Sequence, residues 1–179
     1  MSDERYIAIC GLGKDRPGLV AEATRFLNTR GGNVEDSRAV VLGAEFGLMI
    51  LASGTAEAIR RIQDDRSALE EATGLSFQLK ETVSPEEHRR ARALPYRIEA
   101  NAMDHEGIVH ALTDVLHRSG INIVSLETTV RNAPVTGTEI FSLVARVDIP
   151  DDVTPSSVRD ALAAVAHAQN LDVEMRPET

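Results

Sequence analysis

The sequence predicts an α+β protein: two ferredoxin-like βαββαβ units in tandem, each an antiparallel sheet with helices on one face. Two observations carry this. The chain repeats itself, because the shift that takes residue 15 to 104 lays KDRPGLVAEATRFLNTRGGNVEDS (14–37) over MDHEGIVHALTDVLHRSGINIVSL (103–126). Asp15 then meets Asp104, Gly18 meets Gly107, Leu27 meets Leu116, Gly31 meets Gly120 and Asn33 meets Asn122. Farther on, GAEF (43–46) matches GTEI (137–140), the added residues falling in the turn-rich stretch RNAPVTG. The second observation is the shared punctuation of strand, helix, two strands, helix and strand, which is the split βαβ order.

Each element has its own signal. RYIAICGL reads as a strand. PGLVAEATRFLNTR reads as a helix with apolar residues at 19, 20, 23, 26 and 27, and the second copy repeats the stripe at 108, 109, 112, 115 and 116. Gly31 and Gly120 stand where a left-handed stop is wanted. Two strands follow at about 33–42 and 45–53, joined by a tight turn. A second helix is expected after Thr55, and in the second copy at TPSSV, where Pro155 suits a first helical turn. LSFQLKETV and LDVEMR close the units. The expected domains are 1–83 and 95–179, with a linker at 84–94 that carries a capping signature from Ser84 to Glu87.

Composition narrows the function. A formal charge of -9 argues against a life on nucleic acid phosphates, and 3% aromatics leave few stacking platforms. The basic stretch HRRARALPYR (88–97) reads as a solvated linker. No stretch has the length of a membrane span and the amino terminus is no signal peptide, so a cytoplasmic location is expected. Cys10 is the single cysteine, which fits a reducing compartment, and it reads as a small residue inside a buried strand.

GLGKDRPGLVAE (11–22) looks like a phosphate cradle and fails the test of spacing. A Walker loop needs glycine and Ser/Thr where Ala8 and Asp15 stand; a dinucleotide fingerprint needs glycine where Arg16 stands. In the repeat, Gly11, Gly13 and Lys14 become Ala100, Ala102 and Met103, so the shared element is D-x-x-G. Its plain reading is a helix cap, with the Asp15 carboxylate accepting the Gly18 amide and Pro17 in the first turn. Its functional reading is that amides at the helix start bind a small carboxylate or other anion, aided by the helix dipole.

DRPG and GGNVEDSR within a doubled βαββαβ chain resemble tandem ACT domains, modules that sense small molecules on proteins of amino-acid metabolism. The first half is similar to the glycine cleavage system transcriptional repressor family. The resemblance covers about residues 5–176. It implies an effector, often an amino acid, near the first strand–helix loop at an interface with a neighbouring domain. Carried over by residue, it marks Asp15, Arg16, Gly18 and Leu19, with Asn33, Val34, Glu35 and Asp36, and in the second repeat Asp104, Gly107, Ile108, Asn122 and Ile123. His105 and Glu106 replace Arg-Pro there, and Glu106 would repel a carboxylate, so the first repeat is the better candidate.

His110, Asp114 and His117 share one helix face at a spacing that suits a metal, but Ala21, Arg25 and Asn28 replace them in the first copy, and a solvated polar face is the expectation. No nucleophile–base or paired-cysteine motif stands out. Enzymes that resemble the first half, such as formyltetrahydrofolate deformylase, carry a separate catalytic domain; the chain ends at Thr179, and no enzyme and no cofactor are expected. Tyr6, Ala8 and Cys10 alternate with Ile7 and Ile9, so both faces of the first strand are apolar, whereas Arg97, Glu99 and Asn101 make the matching outer set polar in the second repeat. The apolar outer face wants a cover, and a homodimer is the simplest one. No basic reading helix is present, so a regulator of this kind is expected to contact a protein such as a DNA-bound activator. The alternatives are an amino-acid-sensing subunit of a metabolic enzyme and a scaffold that binds no ligand.

Overall fold

A computed structural model describes residues 4–88, 93–134 and 136–178. The chain divides into two compact units, Met1–Arg89 and Arg90–Thr179. The basic stretch at 88–97, the linker and the turn-rich insertion each lie partly outside the described residues.

The first unit runs β1 (Glu4–Lys14), α1 (Leu19–Thr29), β2 (Asn33–Leu42), β3 (Glu45–Thr55), α2 (Ala56–Asp64), α3 (Arg66–Thr73) and β4 (Ser76–Thr82), followed by the single turn α4 (Pro85–His88). The second runs β5 (Ala93–Met103), α5 (Ile108–Arg118), β6 (Asn122–Asn132), β7 (Glu139–Pro150), α6 (Pro155–Gln169) and β8 (Asp172–Pro177). The sheets have strand orders β2-β3-β1-β4 and β6-β7-β5-β8, antiparallel throughout, as the repeat required. Ser84 Oγ accepts the Glu87 amide at 3.1 Å, the cap its sequence announced.

The helix expected after Thr55 is two helices. Thr55 caps the first through the Ala58 amide, and the break falls at Asp65, whose carboxylate takes the Arg30 guanidinium at 2.8 Å. A short acidic side chain is a weak helix former with competing bonds to make, so a turn of partner geometry wins there. In the second unit Pro155 opens one uninterrupted helix that Asn170 closes in the left-handed conformation.

Each unit has its own core. Ile7, Ile9, Leu19, Phe26, Leu27, Leu48, Ile59, Ile62 and Phe77 fill the first; Ile98, Ile108, Leu112, Leu116, Leu143, Val147 and Leu162 fill the second. The α1 and α5 stripes supply the helical side except at Val20 and Val109, which lie at the edge of the stripe and are exposed, and the alternation of β1, β3, β5 and β7 supplies the other.

The outer faces differ. On the first sheet Ala8 pairs with Leu51, Cys10 with Met49 and Leu12 with Gly47, and Leu12 and Met49 are each 59% exposed. Cys10 is exposed here and not buried in the strand as its apolar neighbours suggested. The helices cover only the Ile7–Ile9–Gly11 side, so the alternate residues face outward however apolar they are. On the second sheet the same rows carry an ion-pair ladder: the Glu99 carboxylate accepts from Arg97 and from Arg176, the latter at 2.7 Å.

Candidate functional site

The β1–α1 and β5–α5 loops are built alike. Gly18 and Gly107 take positive φ of 96° and 91° and are themselves the N-caps, and no side chain caps either helix. The capping bond expected from Asp15 is therefore absent. A left-handed glycine reverses the chain so that α1 starts one residue later, at Leu19, and Pro17 lies in the approach rather than the first turn. The Glu22 amide donates to the Gly18 carbonyl at 2.9 Å, and the Ala111 amide to Gly107 at the same distance. The amides of the first turn are left without an intrahelical acceptor, at the positive end of the helix.

Arg16 is exposed but engaged. Its guanidinium forks onto the Glu22 carboxylate and donates to the carbonyls of Pro17 (3.2 Å), Ala72 (2.9 Å) and Thr73 (3.1 Å). The hydrogen bond from Arg16 holds Glu22 below the usual carboxylate range. Leu19 is buried in the core, so only its backbone can face a ligand.

Asn33, Val34, Glu35 and Asp36 form a second group. A β-bulge lies between Val34 and Asp36, with Glu35 the extra residue; its repeat mate Val124 occupies the bulge between Ile123 and Ser125. The Glu35 carboxylate accepts from Ser53 Oγ at 2.6 Å and Asn33 Nδ2 at 2.7 Å, and these bonds, the first above all, lower its pKa. Asp36 pairs with Arg38.

The two groups do not meet within a unit. Asn33 is level with Ser53 and hence with Tyr6, while Lys14, at the edge of the loop, pairs with Glu45. The rows from Tyr6 to Lys14 separate them by roughly 25 Å at the rise of a strand. In the second unit Asn122 pairs with Asp148, beside Val147 and Tyr96, while Met103 pairs with Ile140 at the far end, so Asp104 and Gly107 are parted from Asn122 and Ile123 in the same way. A helix returns the chain to the end where β1 began, and no spacing in one dimension reveals that.

Asn122 and Ile123 have other company. With Ile121 and the α5 side chains His110, Thr113, Asp114 and His117 they line an open groove of about 480 Å³. The shared helix face seen in the sequence is thus one wall of a groove whose other wall is the start of β6. Among the described residues no three His, Cys, Asp or Glu side chains come together to hold a metal, and Asp114 instead pairs with Arg118 at 2.7 Å. Thr113 and Ile121 escaped the sequence reading; the i, i+3 relation of Thr113 to His110 was the signal available.

The first unit, with its strand–helix loop and its sheet, has a counterpart in one domain family. The ACT domain model matches residues 5–80, and the second unit repeats its fold and its D-x-x-G loop. The first unit is thus similar to ACT domains. The chain is similar to the glycine cleavage system transcriptional repressor of Escherichia coli (strain K12), 29% identical over 126 residues that make up 70% of this chain and 65% of the repressor. The aligned part thus spans just under two thirds of the length of the curated relatives it matches. Among solved structures, an unknown protein from Galdieria sulphuraria is 31% identical and superimposes with a TM-score of 0.83 over 98% of this chain and 99% of that one. A further structure that bears the name of a glycine cleavage system transcriptional repressor is 22% identical, with a TM-score of 0.72 over 99% of each chain, and attests the fold. Among the described residues, no helix is long and apolar enough to cross a membrane.

Proposed function

We propose that this chain is a non-enzymatic cytoplasmic regulator that binds a small molecule and passes the signal on by protein contact. The effector is an amino acid, with glycine the first candidate because of the similarity to the glycine cleavage repressor. The observation that carries the reading is the doubled loop with a left-handed glycine and no side-chain cap. A zwitterion fits such a place: its carboxylate takes the helix-start amides and the positive end of the dipole, and the exposed Asp15 carboxylate takes its ammonium. Asn33, Val34, Glu35 and Asp36, at the other end of the sheet, serve the same ligand only from a neighbouring domain or copy. Asp104, Gly107, Ile108, Asn122 and Ile123 are the weaker counterpart, since Glu106 adds a negative charge beside that loop. The output is contact with a protein such as a transcriptional activator, and effector and partner affinities are then reciprocally coupled.

A thermal-shift panel of amino acids tests this. Ligand at about 100 times its Kd adds roughly 2.7 kcal/mol, and the shift is expected to vanish in Asp15→Ala. Because Asp15 caps nothing, that variant should melt with the wild type when no ligand is added. If no amino acid shifts either protein, the loop is only a helix entry and the sensing role is wrong. Recovery of a metabolic enzyme rather than a transcription factor by the tagged chain would favour the enzyme-subunit alternative.

The apolar outer face of the first sheet supports a homodimer. Val40, Leu42, Met49 and Leu12 are exposed on it, with Arg38, Gln78 and Lys80 as its polar rim. Light scattering is expected to give twice the chain mass for the wild type and the chain mass for Met49→Lys. A wild-type monomer would refute the dimer, and a dimeric Met49→Lys would move its interface elsewhere.

A further inference from the structure

Arg16 and His105 occupy the same position of the repeat and make the same bridge. Arg16 donates to the carbonyl of the next residue, Pro17, and to the last carbonyls of α3, Ala72 and Thr73. His105 Nδ1 lies 3.0 Å from the carbonyl oxygen of the next residue, Glu106, and Nε2 lies 3.0 Å from that of Gln169, the last residue of α6. Each side chain therefore ties its strand–helix loop to the negative end of the helix that precedes the unit's last strand. Carbonyl oxygens only accept. Both ring nitrogens of His105 must donate to keep both bonds, and only the imidazolium has two N–H groups; the neutral ring must give one bond up.

We propose that His105 is a proton-operated latch on the Asp104–Gly107 loop, closed as the imidazolium and half-released as the neutral ring, where Arg16 makes a permanent latch in the first unit. The latch belongs to the loop itself and stands whether or not that loop binds a ligand. The surroundings favour the charged ring. The hydrogen bonds to Glu106 and Gln169 raise its pKa, and the Asp104 carboxylate adds to them. On the elements alongside, His167 lies in the last turn of α6, and Asp172 opens β8. With the folded value raised, the stabilisation is complete below the ordinary 6.5 and is lost as pH rises through the folded value.

The test is an NMR titration of the full chain from about pH 5 to 9, a window that brackets the ordinary histidine value. His105 is expected to titrate above 6.5, and the backbone amides of Glu106, Gly107, Asn170 and Leu171 are expected to move with the same midpoint. In His105→Arg the movement at the His105 midpoint should be gone from those amides, whatever His167 adds at its own midpoint, and in His105→Gln they should lack it too and resemble the wild type at high pH. A His105 midpoint at or below the ordinary value would overturn the latch. So would amides at the end of α6 that ignore the His105 titration, or that still move with the wild-type His105 midpoint in His105→Arg.

Discussion

Leu27→Ala is expected to lower the stability of the first unit by about 2–5 kcal/mol, the range for truncating a fully buried leucine. Leu27 is 1% exposed and is the last member of the α1 stripe. Its surroundings have little room to collapse: a Cβ at Gly32 would already sit 2.8 Å from Ile62 Cδ1 and 3.7 Å from Leu27 Cβ. The Gly32 amide also donates to the Leu27 carbonyl at 3.0 Å, so the backbone here is pinned as the helix turns into β2. The lost side chain thus leaves a cavity beside Ile62 rather than a repacked wall. Urea denaturation followed by far-ultraviolet circular dichroism measures the loss. Leu116→Ala, the repeat mate, should act likewise in the second unit, where Leu116 is 2% exposed. A loss of less than about 1 kcal/mol would mean that the site relaxes more than its close packing indicates.

Gly11→Ala is expected to cost about 1–3 kcal/mol by overpacking, and Phe77→Val to offset much of that loss. Gly11 faces the core, and a Cβ there would lie 2.4 Å from Cε1 of Phe77, its cross-strand partner. The ring is 3% exposed and cannot step aside. The second unit shows the same place filled the other way, with Ala100 opposite Val173. Small residue and large one are traded across a single strand pair, so the two substitutions should couple by about 0.5–3 kcal/mol in a double-mutant cycle. Additive losses would show that the pair does not share the space. Either way, the glycine that gives the opening motif its phosphate-loop look serves the packing of Phe77.

Much of the candidate site was legible before folding. The pairing of Asp15 with Asp104 and Gly18 with Gly107 marked the loop, and the two faces of β1 foretold an apolar outer surface. What misled was local inference from residue type. Asp15 precedes a helix as a cap would, yet the positive φ of Gly18 moves the helix start beyond its reach. Cys10 sits among apolar neighbours, yet strand alternation turns it outward. The resemblance marked Arg16 as a site residue, and its guanidinium is held by Glu22 and by the end of α3, a segment more than fifty residues away in the chain.

The sequence by itself determined the doubled βαββαβ order and the apolar stripes of α1 and α5, because a repeat and a helical or strand period are one-dimensional signals that survive without knowing any contact. Only the tertiary structure decided that Asp15–Gly18 and Asn33–Asp36 lie at opposite ends of one sheet, that His110 and Asn122 share a groove, and that Arg16 and His105 close matching latches. Those relations depend on strand register and on which helix end a loop returns to. Register is set by the burial of a whole face, and no local stretch of the sequence contains that information.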